Sequence, residues 1–436
     1  MRRAARAAAL VCAAVAAAPG AARANPFDLF GVSPRSRALG GALTAAPRDA
    51  EAAYFNPAAG AFSRDVALSL DYDLALPVLR IDGAPLDVYA PHGLGVGLSI
   101  PRTLTPKLGL TISSALHLPG VGVARILFTP ATEPRFTMID NRANRLTVYV
   151  GAGLRWGEHV ALGGGVHFLA AAGNTTTFAI GGSAEDSNVP VAVLDARLPV
   201  RAAPIASVLV KPDDRFAVGL VWRAAVALDL DIHIPVGVEL QSIASGMVDI
   251  VMAAIDYYTP GQVALGGSYR ARSGDFTVVA DVTWVRWSRL DRLFADLSVA
   301  IDLDTTPPLV DFTVPSPALH DVVEARAGAE WSGRFGATES RWALRAGYGF
   351  LPTPVPPQRG LSSVADATRH AVTVGGGVDL AELYPLLDRP LSIDLALGAQ
   401  LLQPRLTVKD DPAAPFRSYR QGGVFWNATL GVTVRF

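Results

Sequence analysis

Two sets of residues could do chemistry. Asp281, Glu324, Arg326, Glu330, Arg345 and Asp394 occur at alternate positions within otherwise apolar segments, so each projects from the polar side of its segment. Opposite charges placed this way can pair across neighbouring strands. Their simplest role is to fix an interior through ion pairs, with contact to a solute as the second possibility. The other set comprises Arg37, Asp49 and Asn56, interspersed with Gly40, Gly41, Pro57 and Ala58. These three polar side chains can make internal links, the glycine pair permits tight backbone, and Pro57 pushes Asn56 out of the helical region. Neither set is a catalytic constellation. No G-x-S-x-G elbow, P-loop or H-E-x-x-H occurs. The seven histidines are scattered, and those within apolar segments, such as His117 and His167, suit polar positions facing an interior. The sequence thus points to no enzyme, no catalytic residue, no cofactor and no metal, with a hydrolase assembled from separate strands as the weaker alternative.

Side chains spaced in this way need strands to carry them. From Val424 to Phe436 the residues Val424, Trp426, Ala428, Leu430, Val432, Val434 and Phe436 share one face, and Asn427, Thr429, Gly431, Thr433 and Arg435 the other. The same alternation recurs over 65–76, 276–285, 341–350 and 391–401. It predicts fourteen strands, at 65–76, 93–100, 108–118, 145–156, 159–169, 201–210, 215–227, 261–271, 275–287, 321–333, 340–350, 369–378, 390–402 and 424–436. Short connections (157–159, 211–214, 272–275) alternate with long ones (173–200, 228–260, 288–320), and Trp and Tyr fall mostly at strand ends. Inward Gly95, Gly97, Gly109, Gly163 and Gly165 leave room against the wall.

Composition excludes several classes. The 436-residue chain is 50% hydrophobic and only 18% charged, with a mean hydropathy of +0.30. Yet after residue 24 it has no run of eighteen uninterrupted apolar residues. A chain that faces lipid without transmembrane helices can satisfy its backbone by closing a β-barrel. A net charge of −1 and no basic stripe argue against nucleic acid. Arg2, Arg3 and Arg6, an Ala/Val/Leu run and Ala22-Arg23-Ala24 read as a signal peptide over 1–24. It contains the only cysteine, Cys12, so an exported mature chain would hold together without disulfides.

The segment 25–63 is too apolar for a solvated tail and has no clean period. Its Arg37, Gly40-Gly41-Ala42, Asp49 and Tyr54-Phe55-Asn56-Pro57-Ala58, followed by repeated amphipathic strands, resemble the FadL family of outer-membrane transporters for long-chain fatty acids and aromatic hydrocarbons. The family often has two acidic residues before the Asn-Pro-Ala turn, whereas here the sequence is Pro47-Arg48-Asp49. The resemblance implies an all-β transmembrane antiparallel barrel over 64–436, with residues 25–63 as a hatch inside it. It also implies passive uptake of a hydrophobic solute from a loop groove to a lumen pocket, with exit by hatch movement or through a wall defect near strand three.

On that basis Phe27, Phe30, Tyr54 and Phe55 are candidate substrate contacts in the hatch. A helical apolar face over Val238–Tyr258, ending before Pro260, would add Ile243, Met247, Ile250, Val251 and Ile255. The terminal aromatic strand resembles the signal read by outer-membrane assembly machinery. The expected partners are therefore the solute, outer-membrane lipid and that machinery, for a monomer. Alternatives are a FadL-like carrier or assembly partner for secreted proteins, and a general porin, which a plugged lumen disfavours.

Overall fold

The computed structural model describes residues 25–436 apart from 121–130, 141–144, 170–171, 180–190, 199, 241–243, 295, 304–308, 313, 336–339 and 382–388. The leader expected at 1–24 lies outside the described residues. One antiparallel sheet of fifteen strands closes on itself, and one of the fifteen is the two-residue piece Ala84–Pro85. The other fourteen form the barrel. In chain order they are β1 (Ala67–Ile81), β2 (His92–Thr105), β3 (Leu108–Pro119), β4 (Thr147–Trp156), β5 (Val160–Leu169), β6 (Arg201–Val210) and β7 (Phe216–Arg223). They continue with β8 (Gly261–Arg270), β9 (Phe276–Arg286), β10 (Val322–Arg334), β11 (Arg341–Leu351), β12 (Arg369–Leu380), β13 (Leu391–Val408) and β14 (Ser418–Arg435). Each pairs with its sequence neighbour, and β1 closes the wall by pairing with β14 from Ala67 opposite Arg435 to Ile81 opposite Gln421. No strand edge is left in the wall, as a lipid environment requires.

Alternation decides which way each side chain points. On β1, Leu68, Leu70, Tyr72 and Leu76 are exposed, whereas Ser69, Asp71 and Asp73 are buried in the lumen. Phe276, Val278, Val282 and Trp284 face out on β9 while Asp281 faces in. Exposed aromatics cluster near the short-turn end (Trp156, Phe216, Tyr269, Phe276, Trp331), where Phe216 and Tyr269 pack 4.8 Å apart. These are the girdles of a lipid-facing surface.

A second sheet stands at the long-loop end. It runs in the order 309–312, 296–303, 244–259, 226–240, 191–198 and 172–179, all within the long connections. This corrects the helix expected over Val238–Tyr258, because Ala244–Thr259 is a strand paired with Val226–Leu240 from Leu240 opposite Ala244 to Val226 opposite Thr259. The segment 226–240 alternates strictly, from Val226, Leu228, Leu230 and Ile232 to Ile234, Val236 and Val238. A β-branched partner of that kind supplies ladder bonds that outweigh the weak helical spacing opposite it. Ile243 lies outside the described residues, and Met247, Ile250, Val251 and Ile255 lie on the strand rather than on a helical face.

Candidate functional site

The lumen is filled by the N-terminal segment, whose short helices are α1 (Pro26–Phe30), α2 (Pro34–Ala38), α3 (Glu51–Phe55) and α4 (Pro57–Gly60). Three begin at side-chain caps with proline at the first helical position: Asn25 for α1, Ser33 for α2 and Asn56 for α4. Asn56 has the extended backbone expected before proline (φ −165°, ψ 98°). Between α2 and α3, Gly40 (φ 67°) and Gly41 (φ 76°) turn the chain hard against the wall. A Cβ on the facing Gly347 would stand 2.2 Å from the Gly40 nitrogen. Of the inward glycines singled out from sequence, Gly97 makes room for Ala50 and Gly163 for Ala58, Gly165 lies against the Val150 carbonyl of the neighbouring strand, and Gly95 and Gly109 accommodate the Asp71 and Arg155 side chains.

Towards the short-turn end the segment is held by ions. Glu330 of β10 accepts from Arg35 (3.1 Å), Arg48 (2.7 Å) and Arg345 of β11 (2.7 Å). Arg35 also meets Glu51 at 2.8 Å, and Arg345 reaches Asp394 of β13 at 2.5 Å. Burial works against the Arg35 charge, but Glu51 and Glu330 outweigh it and hold its pKa above the ordinary value. Asp49 pairs with Arg435 of β14 at 2.8 Å. Asp281 accepts the Thr44 backbone N–H at 2.8 Å, and Arg326 pairs with Glu324 at 2.6 Å. The six lumen charges expected from sequence are therefore interior ion-pair and hydrogen-bond partners, two of them directly on the N-terminal segment.

Of the expected internal links, Asn56 makes one, donating to the Thr44 carbonyl at 2.7 Å. Arg37 and Asp49 bond outward instead. The Arg37 Nε–H donates to Asn427 of β14 at 2.7 Å, and burial followed by the nearby Arg326 lowers its pKa while Asp73 opposes. Arg223 of β7 donates to the Tyr54 carbonyl (2.9 Å) and the Phe55 carbonyl (3.2 Å), placing a cation at the C-terminal end of α3.

Towards the long-loop end the contacts are aromatic. Phe27 lies 5.6 Å from Tyr54 and 5.3 Å from Tyr149 of β4, Tyr54 packs on Phe55 at 4.9 Å, and Phe30 stacks on His117 of β3 at 5.4 Å. His117 and His167 are both buried lumen groups, as expected. The four aromatics of the N-terminal segment expected to meet a solute are thus brought together with His117 and Tyr149, which sequence reasoning did not single out for this role. Beyond them, Leu29 and Phe30 pack with Phe136 and Ile139 of the connection after β3. Met138 of that same connection joins Tyr258, Trp287, Phe294 and Val364 in an apolar cluster under the long-loop end. Arg405 and Gln421 hold the β11–β12 connection there through the Val355 (3.0 Å) and Asp366 (2.7 Å) carbonyls. Two interior cavities, one beside Tyr149 and His167 and one beside Asp28 and Arg326, measure only about 10 and 20 Å³. The β3 ladder to β2 and to β4 is continuous through its middle, so no gap opens in the wall at strand three.

Residues 204–404 match the family model described as outer membrane protein transport protein (OMPP1/FadL/TodX). No curated protein matches. Among solved structures, a Pseudomonas aeruginosa FadL homologue is 16% identical over 91% of this chain and 96% of its own, with a TM-score of 0.56. The Pseudomonas putida toluene transporter TodX (16% identical, 94% and 100% covered, TM-score 0.52) and the Ralstonia pickettii toluene transporter TbuX (16%, 94% and 100%, TM-score 0.51) share the fold. Its closed fourteen-strand wall and lipid-facing apolar surface give this chain the fold of the FadL and TodX barrels of the outer membrane, and residues 204–404 match their family model.

Proposed function

We propose that the protein is a passive channel for hydrophobic molecules, with residues 25–63 as its hatch. The carrying observation is the apolar track: Trp287, Phe294 and Met138 under the loops, then Phe136 and Phe30, then Phe27, Tyr54 and Tyr149 at the hatch. A hydrophobic solute loses the cost of its water-exposed surface, about 25 cal/mol per Å², when it moves between such side chains. A lumen filled by the N-terminal segment, with cavities of only about 10 and 20 Å³ beside Tyr149 and Arg326, does not suit a general aqueous porin. The toluene transporters TodX and TbuX support an aromatic hydrocarbon as the solute, and the resemblance to the FadL family adds long-chain fatty acids.

The test is uptake of a labelled alkylbenzene by cells bearing the wild-type protein or Phe136→Asp. A charge in the track costs several kcal/mol to desolvate, so uptake should fall at least tenfold while the heat-modifiable yield of folded barrel stays constant. Wild-type uptake in the variant sinks the track. Asn56→Ala removes a buried link worth about 1 to 3 kcal/mol and should change the uptake rate severalfold; an unchanged rate argues against hatch movement.

A further inference from the structure

The outer face of the wall carries a groove of about 460 Å³ that crosses β12, β13, β14 and β1. Leu76, Val372, Leu397 and Trp426 line it and are all exposed, so it opens towards lipid and not towards the lumen. Two alanines give it depth. The ladder sets Val372, Ala399, Trp426 and Leu76 in one row and Leu397 beside Ala428 in the next, so a methyl at 399 and at 428 leaves unfilled the space that larger neighbours enclose. Towards the long-loop end the following row is His370, Leu401, Val424 and Val78. Beyond it two exposed cations, Arg80 of β1 and Arg420 of β14, project from the same face by alternation. Neither has an ion-pair partner among the described residues. The Arg80 Nη1 reaches only the Gly83 carbonyl at 3.5 Å, and Asp82 of the adjoining turn accepts the Arg420 backbone N–H at 2.7 Å.

We propose that this face holds one molecule of the outer leaflet's phosphorylated glycolipid, with an acyl chain in the groove and a phosphate between Arg80 and Arg420. The long-loop end of such barrels faces the outside, which assigns the leaflet. The spacing agrees. Arg80 stands four residues along β1 from Leu76, about 13 Å, and an acyl chain confined to one leaflet spans roughly 15 Å, half the hydrocarbon thickness. A chain in the groove touches protein on its flanks as well as beneath, and so gains dispersion contacts that a chain on the convex wall lacks. A phosphate supplies the charge-assisted hydrogen bonds that both guanidinium groups want, and the fork geometry of arginine fixes where the headgroup sits. The site is independent of the channel reading, since none of its side chains belongs to the aromatic track.

The full barrel in phosphatidylcholine nanodiscs would be titrated with bis-phosphorylated lipid A, and the bound lipid counted by native mass spectrometry. Wild type should retain one lipid A, and high salt should weaken that retention. Dephosphorylated lipid A should be held roughly tenfold less. Arg80→Gln/Arg420→Gln should cut retention of the phosphorylated form by about the same tenfold, whereas Arg80→Lys/Arg420→Lys should keep part of it. Ala428→Trp fills the groove from the lipid side without entering the lumen, and should lower retention about fivefold by excluding the chain. Unchanged retention in either the double glutamine or the tryptophan variant, with heat-modifiable mobility intact, overturns the proposal. Equal retention of phosphatidylglycerol overturns it too, as an unselective anion contact. A barrel dimer that Ala428→Trp separates would give the groove to a second copy and likewise discard the lipid.

Discussion

The two ends of the N-terminal segment are held by different physics. Its short-turn side hangs on directional contacts, in which Glu330 alone meets three guanidinium groups. Its long-loop side rests on Phe27, Phe30, Tyr54 and Phe55 against Tyr149, His117 and loop residues. An ion pair accepts few substitutes, because removing one partner strands a buried charge. Apolar packing accepts any molecule of suitable shape that restores the lost contact. A hydrophobic solute can therefore replace aromatic packing on one side while the ionic side keeps the segment in the barrel.

The sharpest way to break this contrast is Glu330→Gln. It leaves Arg35, Arg48 and Arg345 without their shared anion, a loss of about 3 to 5 kcal/mol, and should make the bonds after Arg37 and Arg48 accessible to trypsin. Protection equal to that of wild type would show that the ions do not hold the segment. Phe30→Ala should cost a comparable ~3 kcal/mol through the cavity it leaves, yet saturating butylbenzene should recover most of the lost thermal stability. The same hydrocarbon should do nothing for Glu330→Gln, and rescue of both variants or of neither would erase the distinction.

A smaller effect concerns pH. Asp28 of α1 has its pKa raised by burial, with Arg326 and its partner Tyr54 opposing, Glu324 reinforcing and Arg223 opposing. The neutral form is therefore favoured in place. Docking of α1 is tightest below the ordinary carboxylate pKa near 3.8 and weakens as pH rises through the raised value. Hydrogen exchange at residues 26–30, corrected for its intrinsic pH dependence, should show protection falling over that window. Asp28→Asn should abolish the slope, and a pH-independent wild type would count against it.

The wall was legible because lipid on one side and a polar lumen on the other impose period two. β6 falls on 201–210 as expected, and β14 extends from the expected 424 back to Ser418 because its outer half pairs with β13 up to Val408 opposite Ser418. The Val238–Tyr258 helix failed because spacing within one segment does not report the partner that completes a ladder. Arg35 and Glu51 were not singled out and Arg48 was read only as a departure from the family's turn, although for the two arginines a signal was present. The six lumen charges named from sequence include four acids and only two arginines, so cations had to come from elsewhere, and the N-terminal segment was the available source. Resemblance pointed to the segment as a plug; the distribution of its contacts depends on distances between residues some 300 positions apart, such as Arg35 and Glu330, which local pattern does not encode.

The seam between β1 and β14 sets an order of events. Residue 67 meets residue 435, and the Phe436 N–H donates to the Val66 carbonyl at 2.8 Å, so the wall becomes a cylinder only when the earliest and latest barrel strands in the chain find each other. Such distant pairing is a slow step. Arg435, beside that seam, also grips Asp49 of the enclosed segment. With α1–α4 packed this closely against the wall, the simplest order has the segment lying between the strands before they zip. The last closing contact thus doubles as a check that the contents are in place.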